Sequence, residues 1–175
     1  VKDYSNRSVI PIVNGFARRT RVYTPDTINP YLANFSLDMN TGTLELTFSE
    51  TMNVSNLSTT DITLQGSENI LSNAKLTLTG GSSESFDNPV VTITISDRDL
   101  NVIKQLTMLA TDESHTYLSM TINTISDQAA NAVEEIPNTS GVMVSAFTPD
   151  EISPELLTFT LDLDNGEFHL TFSET

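Results

Sequence analysis

The strongest constraint on the fold is a tandem repeat with a period of 124 residues. The segment Thr24–Pro30 recurs as Thr148–Pro154, and Leu46–Thr51 recurs as Leu170–Thr175. Without gaps, 16 of the 28 residues in 24–51 are identical to their counterparts in 148–175. A repeat of this length is one structural unit that recurs along the chain, so the unit has to be identified before the fold can be inferred.

The same register extends back to the start of the chain. Four residues of the first segment have identical counterparts 124 positions later, namely Asp3, Val9, Ile12 and Asn14. We therefore divide the chain into three parts. Residues 1–23 are expected to be the C-terminal strands of a preceding repeat, 24–147 a complete repeat, and 148–175 the N-terminal hairpin of a following one. We expect the parent protein to be longer.

Alternating apolar and polar residues indicate half-buried β-strands in the complete repeat. Residues 35–39 and 44–48 alternate on either side of an Asn40-Thr41-Gly42 turn, which predicts a hairpin, and 159–163 with 168–172 predict a second hairpin with the same inward face. Further strands are predicted at 62–65, 74–79, 90–96, 117–125 and 142–148. A short amphipathic helix is expected over 97–110, capped by Asp97 or Asp99. The pattern predicts an all-β fold, a Greek-key sandwich of about seven strands with one short helix.

Period-two alternation also predicts which side chains form the core. The predicted core residues are Phe35, Leu37, Leu46, Phe48, Leu64, Leu78, Ile93, Ile95, Leu118, Met120 and Ile122.

The charge of the chain limits its partners. The formal net charge is −15, which would repel the phosphates of nucleic acids, and no apolar run is long enough to insert into a membrane. Cysteine is absent, which excludes disulfides and cysteine-bound zinc. The charge is uneven: residues 1–21 carry five basic and one acidic side chain, a net +4, whereas 22–175 carry three basic and 22 acidic ones, a net −19.

Several motifs resemble a known family. These are Thr47–Asn53, Asp99–Asn101 with Leu109–Thr111, Thr116–Ser119 and Ser126–Val133, which is similar to an Asp-x-x-Gly-Asn motif with Ala130 in place of glycine. Together they resemble the bacterial-type immunoglobulin-like repeats of S-layer proteins, adhesins and giant surface proteins. The resemblance implies an Ig-like sandwich, an extracellular or cell-surface location, and a role as spacer, adhesive rod or wall component without catalysis.

Residues that could support chemistry are few. His115 and His169 are the only histidines, one in a Ser/Thr-rich loop and one at an outward strand position, so we expect no enzyme active site and no bound cofactor. Acidic residues cluster at the repeat boundaries, with Asp26, Glu50 and Asp127 at one and Asp150, Glu151, Glu155 and Glu174 at the next. Carboxylate oxygens are the ligands that Ca²⁺ prefers, so structural calcium at these junctions is one interpretation and a solvated acidic surface is the other.

Two further groups of residues are candidates for modification and assembly. The N-glycosylation sequons begin at Asn6, Asn34, Asn53, Asn56 and Asn138, and covalent glycans are expected at some of them if the source is a eukaryote. Arg18, Arg19 and Arg21 fall where the complete repeat has its last strand. Charge at an edge strand either prevents aggregation or attracts the acidic body of a neighbouring molecule.

The leading functional hypothesis is a structural building block of an extracellular filament, sheath or surface layer, which self-associates through neighbouring repeats or identical chains. The alternative is an adhesin or glycan-binding surface module. A third class, a non-catalytic segment of a large secreted enzyme, is the least favoured by the sequence.

Overall fold

The computed structural model describes residues 1–70 and 74–174, and within them the chain is an all-β protein with one α-helix. The strands are β1 (Leu32–Asp38), β2 (Thr43–Phe48), β3 (Ile62–Gln65), β4 (Lys75–Thr77), β5 (Val90–Thr94), β6 (Tyr117–Met120), β7 (Val142–Met143), β8 (Ala146–Thr148), β9 (Leu156–Asp162) and β10 (Glu167–Phe172). The helix, α1, spans Asp97–Gln105, and short 3-10 turns lie at Val54–Asn56, Thr59–Asp61 and Glu113–His115.

Two four-stranded sheets form the sandwich. One has the strand order β5-β2-β1-β8 and the other β4-β3-β6-β7. The chain crosses between the sheets after β2, β4, β5 and β7, as expected of a Greek-key sandwich. The predicted all-β sandwich is confirmed, with the last predicted strand divided in two: β7 pairs with β6 in one sheet and β8 pairs with β1 in the other.

The core lies between the two sheets. Ten of the eleven predicted core residues are buried, and Phe35, Leu46, Leu64, Ile93 and Leu118 are completely inaccessible to solvent. The exception is Ile122, which is 54% exposed, so this prediction is wrong. Strand β6 ends at Met120, and a turn in which Thr124 N donates to Thr121 O displaces the alternation beyond it. Ile125 returns to the core instead.

The helix is shorter than predicted, and its cap is different. Neither Asp97 nor Asp99 is the N-cap: the Oγ of Ser96 accepts from Asp99 N at 3.2 Å and caps the helix. Asp99 is buried within the first turn, where its carboxylate accepts from the backbone N and the Oγ1 of Thr79. The helix is thereby fixed to the loop after β4, and it ends at Gln105.

The second hairpin, β9–β10, is formed as predicted, but its inward face is not covered. Phe159, which corresponds to Phe35, is 61% exposed, and the other apolar residues of this face are exposed as well, namely Leu161, Leu163, Phe168, Leu170 and Phe172. The prediction of a dry face therefore fails for this copy. The physical reason is that no second sheet packs against β9–β10 within the described part of the chain.

Hydrogen bonds recur at the repeat spacing. Tyr31 N donates to the Oγ of Ser49, and Glu155 N donates in the same way to the Oγ of Ser173. At the other end of the unit, the Oδ1 of Asp3 accepts from Arg7 N just as the Oδ1 of Asp127 accepts from Asn131 N. The periodicity in sequence is therefore also a periodicity in local structure.

The first segment contains no strand longer than a single bridge, between Lys2 and Ser8, and residues 1–29 are exposed throughout. The corresponding residues of the complete repeat form β7 and β8 only by pairing with β6 and β1. Among the described residues, 1–23 have no such partner strands. Their assignment to a preceding repeat stays a prediction.

Candidate functional site at the repeat junction

Three carboxylates from distant parts of the sequence meet where the complete repeat begins. Asp26 precedes β1, Glu50 follows β2, and Asp127 lies in the loop after β6. One oxygen from each lies within 4.8 Å of the others, at an open cleft of about 450 Å³. Glu50 follows the open end of the β1–β2 hairpin by two residues, and Asp26 precedes the same end by six residues.

The loop around Asp127 holds its carboxylate in place. The Oδ1 of Asp127 accepts from the backbone N of Ala129 and of Asn131, and the Oδ2 accepts from the Nδ2 of Asn131. The turn requires a positive φ at Ala130, where φ is 69°. Glycine adopts this conformation without strain, whereas alanine, which has a Cβ, is strained there. Asp127 is buried and preorganised, whereas Asp26 is exposed and Glu50 is half-buried.

The electrostatics of this cluster are unfavourable without a cation. Burial, followed by the neighbouring carboxylates of Asp26 and Asp127, raises the pKa of Glu50 above its ordinary value. Like charges this close oppose one another's ionisation. Two oxygens on opposite sides of a calcium ion lie about 5 Å apart, so the spacing of these carboxylates suits such an ion, with water as further ligands.

At the second junction, the corresponding carboxylates already hold a cationic group. Asp150 and Glu174 occupy the repeat positions of Asp26 and Glu50. The Nζ of Lys104, from the last turn of α1, lies 3.0 Å from Asp150 and also forms an ion pair with Glu174. Although burial opposes it, hydrogen bonds to Glu174 and Asp150 raise the pKa of Lys104. The two acidic residues at these repeat positions thus bind the Lys104 ammonium group at the second junction, whereas at the first junction they lie beside a third carboxylate, that of Asp127.

Two hydrogen bonds also hold the end of β8 and the start of the linker against the complete repeat. Met39 N donates to Thr148 O at 2.9 Å, and Glu151 N donates to the Oδ1 of Asn40 at 2.8 Å. Met39 and Asn40 both lie at the turn between β1 and β2. The start of the linker to β9 is therefore attached to the body of the repeat, and the ion pairs of Lys104 add to this attachment.

The two histidines do not form a catalytic arrangement. His115 Nδ1 lies 2.9 Å from Asp112 and 3.3 Å from the Oγ of Ser114, all within one 3-10 turn. A serine–histidine–aspartate relay needs the nucleophile and the acid on different ring nitrogens, whereas here both contact Nδ1. The side chains of Ser114 and His115 lower the pKa of Asp112 to about 2, as expected of a carboxylate that caps a turn. His169 is exposed and contacts Glu167.

The structure places the sequence-predicted modification and assembly residues at the surface. Asn6, Asn34, Asn56 and Asn138 are exposed, and Asn53 is half-buried because its Oδ1 caps the turn at Val54–Asn56. The Nδ2 of Asn56, the atom to which a glycan would be attached, donates to the Oγ of Ser126. Arg18, Arg19 and Arg21 are exposed, and none takes part in the ion pairs found among the described residues.

Sequence reasoning grouped Asp26 with Glu50 and Asp127, and the structure brings these three together. It missed Lys104. Spacing within the repeat could have identified Asp150 and Glu174 as a pair, but their cation comes from a helix 46 residues before Asp150, and nothing in the local sequence indicates that contact.

The described residues contain no helix long enough to span a membrane, since α1 has only nine residues. The sequence matches no protein-family profile and no curated protein. Among solved structures, the chain is similar to two crystal structures of the bacterial S-layer protein SbsC, each 16% identical to it, with TM-scores of 0.44 and 0.43. These cover 77% and 75% of this chain, which in turn spans only 15% and 26% of theirs.

Proposed function

We propose that this chain is a structural building block of an extracellular filament, sheath or surface layer, in which Ig-like repeats are joined end to end and associate with identical chains. The observation that supports the proposal is the second junction. There, Lys104 forms ion pairs with Asp150 and Glu174, and Glu151 N donates to the side-chain Oδ1 of Asn40, so the linker to the following hairpin is attached to the complete repeat. A linker attached in this way limits the angles between repeats, as an ordered array under tension requires.

The first acidic junction is proposed to bind calcium. Asp26, Glu50 and Asp127 supply carboxylate oxygens at a suitable spacing, and the counterparts of the first two hold an ammonium group at the next junction. A bound Ca²⁺ would neutralise the cluster that raises the pKa of Glu50. It would also connect the linker at Asp26 to the body of the repeat at Asp127.

The basic segment at 1–21 is proposed to steer self-association toward the acidic bodies of other copies. Reversing Arg18, Arg19 and Arg21 to glutamate is expected to weaken association about tenfold at low salt, since exposed pairs contribute only up to about 1 kcal/mol each. Sedimentation velocity over a range of salt and protein concentrations measures this. The dependence on ionic strength should also become flatter.

The control is the double variant K75E/R98E, which changes the net charge by −4 at exposed residues outside this segment. It is expected to associate more strongly than the arginine variant. If the arginine variant associated like the unmodified chain at both low and high salt, the three arginines would serve only as edge protection.

Glycosylation is proposed at the accessible sequons when the protein is made in a eukaryotic secretory pathway. Asn34 and Asn138 are the best candidates because they are exposed, whereas the Nδ2 of Asn56 is engaged by Ser126. We expect glycopeptide mass spectrometry of the secreted protein to find modification at Asn34 or Asn138 more often than at Asn56. Unmodified asparagine at all five sequons would reject the glycoprotein proposal.

A further inference from the structure

The chain contains two Asn-Gly pairs, Asn14-Gly15 and Asn165-Gly166. The second pair lies at the tip of the β9–β10 hairpin, between the last residue of β9 and the first residue of β10. Glycine has no Cβ, so its backbone nitrogen is open to close approach by the preceding side chain. An asparagine in this position can lose its side-chain nitrogen as ammonia without any enzyme.

The turn position of Asn165 is accessible to water in a folded repeat. Asn165 itself is exposed, and so is its counterpart in the complete repeat, Thr41. Thr41 is exposed although the next residue, Gly42, is buried beside Leu100 of α1. The exposure of this position is therefore a property of the folded unit, and it does not depend on the hairpin standing alone.

A carboxylate holds the side chain of Asn165. The Nδ2 of Asn165 donates to the Oδ2 of Asp162 at 2.8 Å, and the Oδ1 of Asp162 accepts from the backbone N of Asp164 and of Asn165. These hydrogen bonds, that of the Asn165 side chain first, lower the pKa of Asp162, so its carboxylate is charged at neutral pH. The nitrogen that leaves in a deamidation is thus the atom that is bound to Asp162.

The reaction proceeds through a cyclic succinimide. The backbone N of Gly166 loses its proton and bonds to the Cγ of Asn165, the Cγ–Nδ2 bond breaks, and ammonia leaves. Water then opens the ring at either carbonyl, so that residue 165 becomes aspartate or isoaspartate. Water is the only co-reactant, and nothing is oxidised or reduced.

Asp162 opposes ring closure in two ways. Its hydrogen bond directs the amide of Asn165 back toward β9, whereas the attacking nitrogen lies on the C-terminal side of Asn165, so the side chain has to leave Asp162 before it can react. The attacking nitrogen also becomes an anion when it loses its proton. Neighbouring carboxylates, those of Asp162 and Asp164, disfavour a further negative charge.

We propose that Asn165 is a site of spontaneous deamidation and that Asp162 is the positioning residue that sets its rate. Conversion replaces the Nδ2 donor with a carboxylate beside Asp162 and Asp164, and isoaspartate adds a carbon to the backbone of the turn. The tip of the hairpin therefore changes irreversibly with the age of the protein. The inference is independent of the proposed structural role.

The test is peptide mass spectrometry of the full chain after incubation at neutral pH, which quantifies asparagine, aspartate and isoaspartate at residue 165. Asn14, the exposed asparagine of the other pair, is the internal reference in every sample. The variant D162N keeps an Oδ1 acceptor for the backbone of the turn but has no oxygen to bind the Nδ2 of Asn165. It should raise the rate at Asn165 by about tenfold, because a hydrogen bond to a charged group is lost, and leave the rate at Asn14 unchanged.

The matched control is D164N, which removes the same charge beside Asn165 and introduces the residue of the complete repeat at this position, Asn40. Asp164 contributes only its backbone N to the turn, so the hydrogen bond between Asp162 and Asn165 stays. D164N should raise the rate by about twofold, as expected of an exposed charge. The variant N165T, with the residue of Thr41, should give no product at residue 165.

Two results would overturn the proposal. Asn165 that stayed unmodified in D162N, while Asn14 in the same sample was converted, would reject the site. Equal rates in D162N and D164N would reject the role of the Asp162 hydrogen bond.

Hydrogen exchange of the β10 amides separates positioning from a purely structural role. We expect it to be unchanged in D162N, because the backbone hydrogen bonds of the turn remain. Exchange accelerated by the same factor as deamidation would mean that opening of the hairpin sets the rate, and the role of Asp162 as a positioning residue would be rejected.

Discussion

Replacing Phe35 with alanine is expected to lower the free energy of unfolding by about 3–5 kcal/mol, because the ring is completely buried and its removal leaves a cavity between the two sheets. The matched control is Phe159→Ala, at the same position of the repeat. That ring is 61% exposed, and it contacts the ring of Phe168 edge to face. Its removal should change the main unfolding transition by less than about 0.5 kcal/mol.

Urea unfolding monitored by circular dichroism, at a protein concentration where the chain is monomeric, measures both variants. The comparison keeps the residue type and the repeat position constant and changes only the packing. Equal losses for F35A and F159A would mean that the second hairpin is covered in solution by part of the same chain.

Calcium is expected to have the second-largest effect on stability. At a hundredfold excess over its dissociation constant, a cation that binds only the folded chain stabilises it by about 2.7 kcal/mol, so Tm should rise when calcium replaces EDTA. The variant E50Q should lose most of this rise, because it removes one of the three carboxylate ligands. The control E45Q changes an exposed glutamate on the outward face of β2 and should retain the full rise.

The same variant has the opposite effect without calcium. The pKa of Glu50 is raised in the folded state, so between its unfolded value and the raised value the folded state binds more protons than the unfolded state. The contribution of Glu50 to stability is therefore present at acidic pH and is lost as the pH rises through the raised pKa. In EDTA at neutral pH, E50Q should be more stable than the unmodified chain, with the difference shrinking on acidification. Calcium-independent Tm values for all three proteins would reject the metal proposal.

The sandwich could be predicted from the sequence because its strands obey a simple rule. In β1, β2, β3 and β5, the alternation of apolar and polar residues indicates which face of the strand is buried. A shift of one residue within a strand would move every later side chain to the opposite face. The rule fails where a strand ends without a strong turn signal, as after Met120, and Ile122 was misplaced for this reason.

Contacts between units could not be predicted in the same way. The burial of Phe35 and the exposure of Phe159 arise from identical residues at identical repeat positions, so no local pattern distinguishes them. Lys104 contacts Asp150 and Glu174 only because α1 ends beside the linker. The carboxylate cluster was easier to find, since acidic residues at a repeat boundary stand out in the sequence, although the distances between them required the fold.

The parallel pairing of β1 with β8 has a mechanical consequence. Tension along a string of repeats pulls the start of β1 and the end of β8 in opposite directions, parallel to the strands. The hydrogen bonds between β1 and β8, together with the flanking bonds from Ser145 N to Phe35 O and from Met39 N to Thr148 O, are then loaded in shear and share the force. Strands pulled apart from one end would instead break one bond at a time. A repeat with this geometry should hold its length under a pull that would open a hairpin.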